Sequence, residues 1–505
     1  MVFYLNDSPL LNNVDKSNII VLINSSWDDW FTWSTVYHIH YYDSNGNISR
    51  LGATKIGETN MNGKRRPTLP ETFDKLDETF FSIGQDASYY ENLNVIGEEF
   101  RFEVLTALRD IAFDPLNYEV AKKEYVTNRS LLRDVSKLSV EKQFRRLAQG
   151  IVELTPYDFT FILPRISKLA EDITLEFHVV PKSNPPTNIH VIIGRNGVGK
   201  THLFNNMLRA LLGERTPRNR VGYFTMSNLD ESERLFANVV SVSFSAFDEF
   251  QPVSENGQTS DIKFSYIGLK RIANKDSTKP LPPKSPDQLK SEFVRSVQKC
   301  IAGAKNSRCI EALKMLETDP IFAEAEISQL AEIQIGEEFK NISEKTFHKL
   351  SSGHKIVLLT ITKLVETLEE KSLVFLDEPE AYLHPPLLSA FIRTLSDLLT
   401  KRNAVAIIGT HSPVVLQEVP QSCVWKLRRQ GVMAVAERLE TESFGENVGL
   451  LTQEVFGLEV TDAGFHTLLN KIANSSDNYE EAIQKLGNQL GMEGRAILRN
   501  LLYNN

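Results

Sequence analysis

Cysteine is rare in this sequence, and so are long apolar runs. The three cysteines, Cys300, Cys309 and Cys423, lack the short spacing of metal ligands, and an odd, scattered set favours a reducing compartment. No apolar run approaches the ~18 residues of a membrane-spanning helix. The first residues, "MVFYLNDSPLL", lack the basic region and the apolar core of a signal peptide. We therefore expect a cytoplasmic protein with no membrane partner.

An excess of positive charge is also missing. The chain has 56 Lys and Arg against 65 Asp and Glu, which gives a formal net charge of −9. Coating DNA without sequence preference requires many phosphate-neutralising cations, so the composition argues against that role and leaves open a local basic patch. With 41% hydrophobic residues, the 505-residue chain can bury large cores, and its length predicts roughly two to four domains.

The order of sequence patterns predicts an N-terminal α+β region, strand-rich and then helical, ahead of an α/β core. "FTWSTVYHIHYY" alternates like a strand, and "DSNGN" after it is typical of a hairpin turn. Farther on, Ser285, Pro286 and Gln288 form a helix-start pattern. The predicted divisions are an N-terminal region at 1–150, an α/β core at 151–274, a linker and helical insertion at 275–348, the rest of the core at 349–430, and a C-terminal helical region at 431–505.

The segment "IHVIIGRNGVGKTHLF", residues 189–204, fits the pattern G-x-x-x-x-G-K-[ST] between an apolar strand and a helix. Glycines allow backbone N–H groups to surround phosphate oxygens, and the helix N-terminus adds its positive dipole end. Lys200 can reach the β- and γ-phosphates of ATP, while Thr201 can hold Mg²⁺. The predicted nucleotide-binding residues are Gly194, Asn196, Gly197, Gly199, Lys200 and Thr201.

Two adjacent acids follow a second apolar strand in "SLVFLDEPEAYLHP". Asp377 is expected to bind Mg²⁺ directly or through water, and Glu378 to act as general base for the attacking water. Gln251, after "VVSVSFSAFDEF", is the candidate for the glutamine near the metal that the family resemblance described below implies. The predicted metal residues are therefore Thr201, Asp377 and Gln251.

Two more segments indicate which class of nucleotide-binding protein the chain resembles. "KLSSGHKIVLLTITKL" begins 28 residues before Asp377 and contains residues 350–354, which resemble the LSGGQ signature of ABC-type (ATP-binding cassette) ATPases. "AVAIIGTHSP" ends a strand at His411, which resembles the switch histidine of the same sites; His411 and Glu378 are the predicted catalytic residues. The predicted signature residues are Leu350, Ser351, Ser352 and Gly353.

This order of motifs resembles the ABC-type ATPase superfamily over residues ~155–430. The resemblance implies an ATPase head with a phosphate-loop sheet and a helical lobe, with ATP and Mg²⁺ as ligands. In that family two heads sandwich ATP, and the signature of one copy faces the phosphate loop of the other. We therefore expect a homodimer or a larger homo-oligomer.

The loop "DEPEAYLHP" resembles the soluble branch of the superfamily, which includes RecF-like, OLD-like and antiphage ATPases. The N-terminal segments "SSWDDWFTWSTVYHIHYYDSNGNISRLGATKIGE" and "RRPTLPETFDKLDETFFSIGQDASYYENL" are similar to the ATPase subunit of Septu-type antiphage systems, which also occur beside retrons. That resemblance implies a sensor that gates a separate HNH endonuclease, with a retron reverse transcriptase or nucleic acid as further partners. No nuclease pattern is visible in the chain itself.

Two alternatives stay open at this stage. One is a RecF-like repair or recombination ATPase that binds DNA directly. The other, a transporter head, is disfavoured by the N-terminal region and by "YLHP", since transporter heads usually carry an aspartate in that loop.

Overall fold

The structure is a computed structural model without ligands. The residues that it describes are 1–7, 17–25, 32–61, 63–151, 156–164, 172–213, 217–226, 236–244, 262–271, 281–302, 305–333, 335–430, 433–457 and 464–503.

The N-terminal part is built on a six-stranded mixed sheet of order β5-β1-β2-β3-β4-β6. Strands β1 and β2 run parallel, and the other neighbours pair antiparallel. The hairpin between β3 and β4 turns at Asp43, whose carboxylate accepts hydrogen bonds from the backbone of Asn45 and Asn47. The predicted hairpin is thus confirmed. The strands are β1 Val2–Asn6, β2 Ile19–Asn24, β3 Val36–Tyr42, β4 Ile48–Glu58, β5 Thr72–Phe73 and β6 Phe80–Gly84.

Short helices cover this sheet and share one buried core with it. They are α1 Ala87–Ile96, α2 Glu98–Ala107, α3 Pro115–Ala121, α4 Lys137–Ser139 and α5 Arg145–Ala148, with π-helical turns at Thr127–Leu131 and Val140–Phe144. Helix α1 begins where the Asp86 side chain accepts the N–H of Ser88, an ordinary N-cap.

The second part contains a seven-stranded sheet of order β12-β11-β13-β14-β9-β15-β16. All neighbours are parallel except β15 and β16. Its central strands are almost fully buried on both faces, as expected for a parallel sheet covered by helices. The strands are β9 Ile189–Ile193, β11 Asn238–Ser243, β12 Lys263–Gly268, β13 Ser372–Asp377, β14 Val405–Thr410, β15 Val424–Gln430 and β16 Met433–Glu437.

A three-stranded antiparallel sheet, ordered β10-β7-β8, packs beside this one and shares an aromatic core with it. Its strands are β7 Tyr157–Leu163, β8 Ile173–Val179 and β10 Tyr223–Met226. The main sheet therefore has the small antiparallel sheet and the helix Lys200–Leu212 on one face, and the helices of the larger core on the other.

The helices of this part include a lobe between β12 and β13 that shares the main buried core. They are α6 Lys200–Leu212, α7 Arg218–Val221, α8 Pro286–Ala302, α9 Asn306–Leu316, α10 Pro320–Glu324, α11 Glu337–Lys349, α12 Ser352–Thr367, α13 Pro385–Arg402 and α14 Pro413–Leu416. No helix in the described part of the chain is both long and apolar enough to cross a bilayer.

The last part of the chain departs in one respect from the sequence prediction. The region 431–505, expected to be helical, begins with strand β16, which pairs with β15 at the sheet edge. An edge position lets this short segment satisfy its backbone groups on one side without a helix. The helices that follow are α15 Val448–Phe456, α16 Phe465–Ala473, α17 Tyr479–Lys485 and α18 Met492–Tyr503, of which the last three form a separate small core. The five-part division of the chain itself stays a prediction.

The two parts meet at a cluster of buried charges around Asp86. Its carboxylate lies 2.7 Å from Nη2 of Arg402, the last residue of α13, and 3.1 Å from Nη2 of Arg308 in α9. Arg308 also donates to the carbonyl oxygens of Val365 and Leu368 at the C-terminal end of α12. One carboxylate of the N-terminal part therefore connects to the far ends of two helices of the second part.

Candidate nucleotide-binding site

The glycine loop joins β9 to α6, and three of its glycines are needed for different reasons. Gly197 and Gly199 have φ angles of 83° and 106°, in the left-handed region that side-chain-bearing residues avoid. A Cβ atom on Gly194 would lie 2.5 Å from the carbonyl oxygen of Leu427 in β15. Asn196 is exposed in the same loop. The loop can thus present its backbone N–H groups to an anion at the N-terminus of α6.

Lys200, the first residue of α6, is buried beneath this loop with only 4% of its surface exposed. Its Nζ donates to the carbonyl oxygens of Gly194 at 2.8 Å and Arg195 at 3.1 Å. The same ammonium lies 2.9 Å from Oε1 of Glu378. The predicted phosphate-binding cation and the predicted general base are therefore in direct contact.

Thr201 and Asp377 form the second contact between the two predicted motifs. The Thr201 hydroxyl donates to Oδ2 of Asp377 at 2.7 Å. Hydroxyl and carboxylate oxygens are ligands that Mg²⁺ prefers, and neighbouring ligands of an octahedral Mg²⁺ lie about 3 Å apart for bonds of ~2.1 Å. The donor set and its spacing therefore fit Mg²⁺. The third predicted metal residue, Gln251, lies outside the described residues.

Sheet register explains why these side chains meet. Asp377 at the end of β13 is opposite Gly409 in β14, and Thr410 is opposite Ile193 at the end of β9. The carboxyl ends of three parallel strands thus form one edge, where ligands of open α/β sheets usually bind. The order of the sheet places the strand that precedes His411 between the other two.

Glu378 has a strained backbone, with φ 49° and ψ 57° in the left-handed region. Its N–H donates to the Gly409 carbonyl oxygen at 2.8 Å, and its Oε2 is hydrogen-bonded to Nδ1 of His411. Strain of this kind persists only where the surroundings enforce it, and it is concentrated at functional sites. The geometry holds the Glu378 carboxylate between the Lys200 ammonium and the His411 ring.

Glu380 is a third acid in this site that the sequence reasoning missed. Its Oε1 accepts the backbone N–H of His411 at 2.8 Å and the hydroxyl of Thr410, and it lies 3.2 Å from Nδ1 of His411. Burial raises the pKa of the Glu380 carboxyl, and the charge of Glu378 adds to that rise. The signal was present as the second glutamate of the D-E-P-E segment, residues 377–380. Through these contacts Glu380 holds in place the loop that carries His411.

The signature residues lie at the start of α12. Ser351 is its N-cap and Ser352 its first residue; both are exposed, whereas Leu350 is buried. A Cβ on Gly353 would lie 2.5 Å from the carbonyl oxygen of Tyr382, in the turn that follows Glu378. The signature thus packs behind the acidic loop. Among the described residues, the side-chain hydrogen bonds of Ser351 stay within the start of α12.

The structure is an α/β fold in which a glycine loop, two strand-end acids and a histidine meet at one edge of a parallel sheet. A family described as "AAA domain, putative AbiEii toxin, Type IV TA system" matches residues 264–417. Protein ea59 of Escherichia phage lambda is 39% identical over 97% of this chain and 96% of its own length. The chain belongs to the family of that protein.

Solved structures with detectable similarity include ATP-binding cassettes of transporters. One is MJ1267 in its ADP conformation, 13% identical over 61% of this chain and 98% of that chain, with a TM-score of 0.30. Another is cbiO1 from Clostridium perfringens, part of a transporter complex, 17% identical over 68% and 99% of the two chains, with a TM-score of 0.30.

Proposed function

We propose that the chain is a Mg²⁺-dependent ATPase in which two copies close around ATP. The observation that carries this proposal is the convergence of the phosphate-loop lysine, Lys200, with Glu378 and His411, next to the Thr201–Asp377 pair. In nucleotide hydrolysis the protein mainly positions the groups and stabilises charge, and this constellation contains the parts needed for both.

Each side chain has a distinct role in the proposal. Lys200 and the loop N–H groups bind the phosphates, while Thr201 and Asp377 would hold Mg²⁺, whose charge would offset that of the phosphates. Glu378 accepts a proton from the attacking water, and His411, which is bonded to it, contacts the γ-phosphate. When ATP binds, Lys200 exchanges its contact with Glu378 for the phosphates, which frees the carboxylate to act as a base.

The composite site is proposed to form between two copies. The exposed serines at the N-terminus of α12 offer hydroxyl and backbone donors, and within the described part of the chain the side-chain hydrogen bonds of Ser351 stay at the start of α12. By the ABC geometry they face the nucleotide of the partner copy. The two copies would then close only with ATP bound, and hydrolysis of ATP would let them separate.

We propose further that closure controls a separate HNH-type endonuclease in antiphage defence, with a retron as a further possible association. This step rests on the likeness of the N-terminal segments to Septu-type ATPases. The family also includes a phage-encoded member of the same length, so defence needs its own test. Infection of cells that express the chain with its neighbouring genes, with and without Lys200→Ala, is that test: equal phage yields would reject the defence role.

The ATPase proposal is tested with two variants and one control. Lys200→Ala is expected to lose ATP binding in calorimetry, whereas Lys314→Ala, an exposed cation on α9, should bind like the wild type. Glu378→Gln should bind ATP, turn over about 10²–10⁴-fold more slowly, and form an ATP-dependent dimer in light scattering. Wild-type binding and turnover by Lys200→Ala would refute the site. A Glu378→Gln chain that stays monomeric with saturating ATP would refute closure.

A further inference from the structure

His354 in the signature is buried between two polar side chains from different elements. It is 1% exposed, and it occupies the third helical position after the N-cap of α12. Its Nδ1 lies 2.6 Å from Oγ of Ser351, and its Nε2 lies 3.1 Å from Oδ1 of Asp319. The edge of the Phe322 ring packs on it with ring centroids 4.9 Å apart. Because both nitrogens are engaged, the ring cannot rotate without losing two hydrogen bonds.

Asp319 is held as firmly as the ring that it contacts. It is 7% exposed, and as N-cap of α10 it accepts the N–H of Ile321 at 2.9 Å. The carboxylate therefore belongs to the helical lobe, 35 residues before the signature histidine. The next histidine, His384, has its ring centroid 6.1 Å from that of His354, and its own Nδ1 accepts the N–H of Leu387.

Ser351 is at the exposed end of this chain of hydrogen bonds. An exposed serine hydroxyl ordinarily rotates to suit its surroundings. Here its oxygen is fixed by His354 Nδ1, and it also accepts the backbone N–H of His354 at 3.4 Å. The order carboxylate, imidazole, hydroxyl is the same in which serine hydrolases orient their histidine, although the two ring nitrogens are exchanged.

We propose that His354, supported by Asp319, is the positioning residue that aims the Ser351 hydroxyl at the phosphate of ATP bound by the partner copy. This inference rests on the proposed ATPase function. A phosphate oxygen only accepts hydrogen bonds, so Ser351 must donate to it. That is possible when His354 carries hydrogen on both nitrogens: Nε2–H donates to Asp319, Nδ1–H donates to Ser351, and the hydroxyl hydrogen is free. Asp319 supplies the negative partner that this form of the ring requires.

Three variants separate orientation from mere packing. His354→Leu fills the space without a donor, His354→Gln keeps an N–H that can reach Ser351, and Asp319→Asn keeps the acceptor oxygen and removes the charge. We expect His354→Leu to lower kcat about 10²-fold, the scale for losing one preorganised donor. The kcat of His354→Gln should be at least about tenfold higher than the kcat of His354→Leu. Binding of a fluorescent ATP analogue should change by less than about threefold, and His348→Leu, an exposed control on α11, should behave like the wild type.

Mixing experiments place the lesion in the partner's site. In a mixture of His354→Leu and Lys200→Ala chains, one composite site of each mixed dimer carries both lesions and the other carries neither. Turnover that returns on mixing supports the proposal. If His354→Leu lost ATP binding by its own chain, the defect would be in cis and the proposal overturned. Wild-type kcat in His354→Leu would overturn it as well. If His354→Leu does not fold, wild-type kcat in Asp319→Asn would overturn it, because the charge of Asp319 would then not be needed. An active Lys200→Ala chain would instead overturn the ATPase proposal itself.

Discussion

Replacing Asp86 by Asn should destabilise the protein far more than its single lost charge suggests. Asp86, Arg308 and Arg402 are each about 5% exposed. Asn keeps the shape and the N-cap of α1, so only the charge is removed. Two guanidinium groups then remain buried without a counter-ion, and the proximity of Arg402 and burial already lower the pKa of Arg308 to about 10. Removing one partner of a buried ion pair typically costs about 3–5 kcal/mol.

Thermal unfolding measures this effect. At ~2 °C per kcal/mol for a unit of this size, the apparent melting temperature should fall by about 6–10 °C. Glu311→Gln is the matched control, because its pair with Lys401 is exposed and should contribute less than about 1 kcal/mol. A shift no larger than that of Glu311→Gln would refute the reasoning.

The pH dependence has a definite sign. The two arginines hold the pKa of Asp86 well below its usual 3.8, despite burial that opposes them. The carboxylate therefore contributes stability above about pH 4, and the contribution is lost as the pH falls below that value. The difference in apparent melting temperature between wild type and Asp86→Asn should be constant from pH 8 to pH 5 and should become smaller in more acidic buffer. A gap that widens on acidification would contradict this assignment.

Three further outcomes are expected. Gly353→Ala would put a Cβ 2.5 Å from the Tyr382 carbonyl oxygen and should lower ATP turnover more than ATP binding. Gly336→Ala, whose Cβ would meet open space, should have wild-type turnover, and equal turnover of the two variants would reject the packing argument. Ser352→Arg should stop turnover but leave ATP binding to that chain intact, and activity should return on mixing with Lys200→Ala; loss of its own ATP binding would contradict a shared site. The purified chain should leave DNA intact with Mg²⁺ or Mn²⁺, and cleavage that persists through purification would show a nuclease site in the chain itself.

Local patterns in the sequence predicted several elements well. The helix start at residues 285–288 is confirmed as a reciprocal capping box: Ser285 N–H donates to Gln288 Oε1 at 2.9 Å, and Gln288 N–H donates to Ser285 Oγ at 3.3 Å. The turn at Asp43 and the glycine loop after β9 are also where the sequence placed them. Each is decided by residues within a few positions of one another, which is why a single sequence is sufficient.

Contacts between distant residues could not be predicted in the same way. Asp86 and Arg402 are 316 positions apart, and nothing local to either one indicates the other. The role of Glu380 could not be predicted either, because its contact with His411 depends on the sheet order that brings β13 and β14 together. The roles assigned to Lys200 and the other site residues stay predictions until variants are measured.

Helices α12 and α13 connect the edge of the sheet where ATP is proposed to bind with the N-terminal part of the chain. At 1.5 Å per residue, their 16 and 18 residues extend about 24 and 27 Å. Each begins near the proposed composite site and ends where Arg308 or Arg402 contacts Asp86. A tilt of either helix during the proposed closure would therefore displace the ion pairs of Asp86, which connect that helix to the N-terminal part. If two copies close around ATP as proposed, a movement at the nucleotide edge would shift the N-terminal part some 25 Å away.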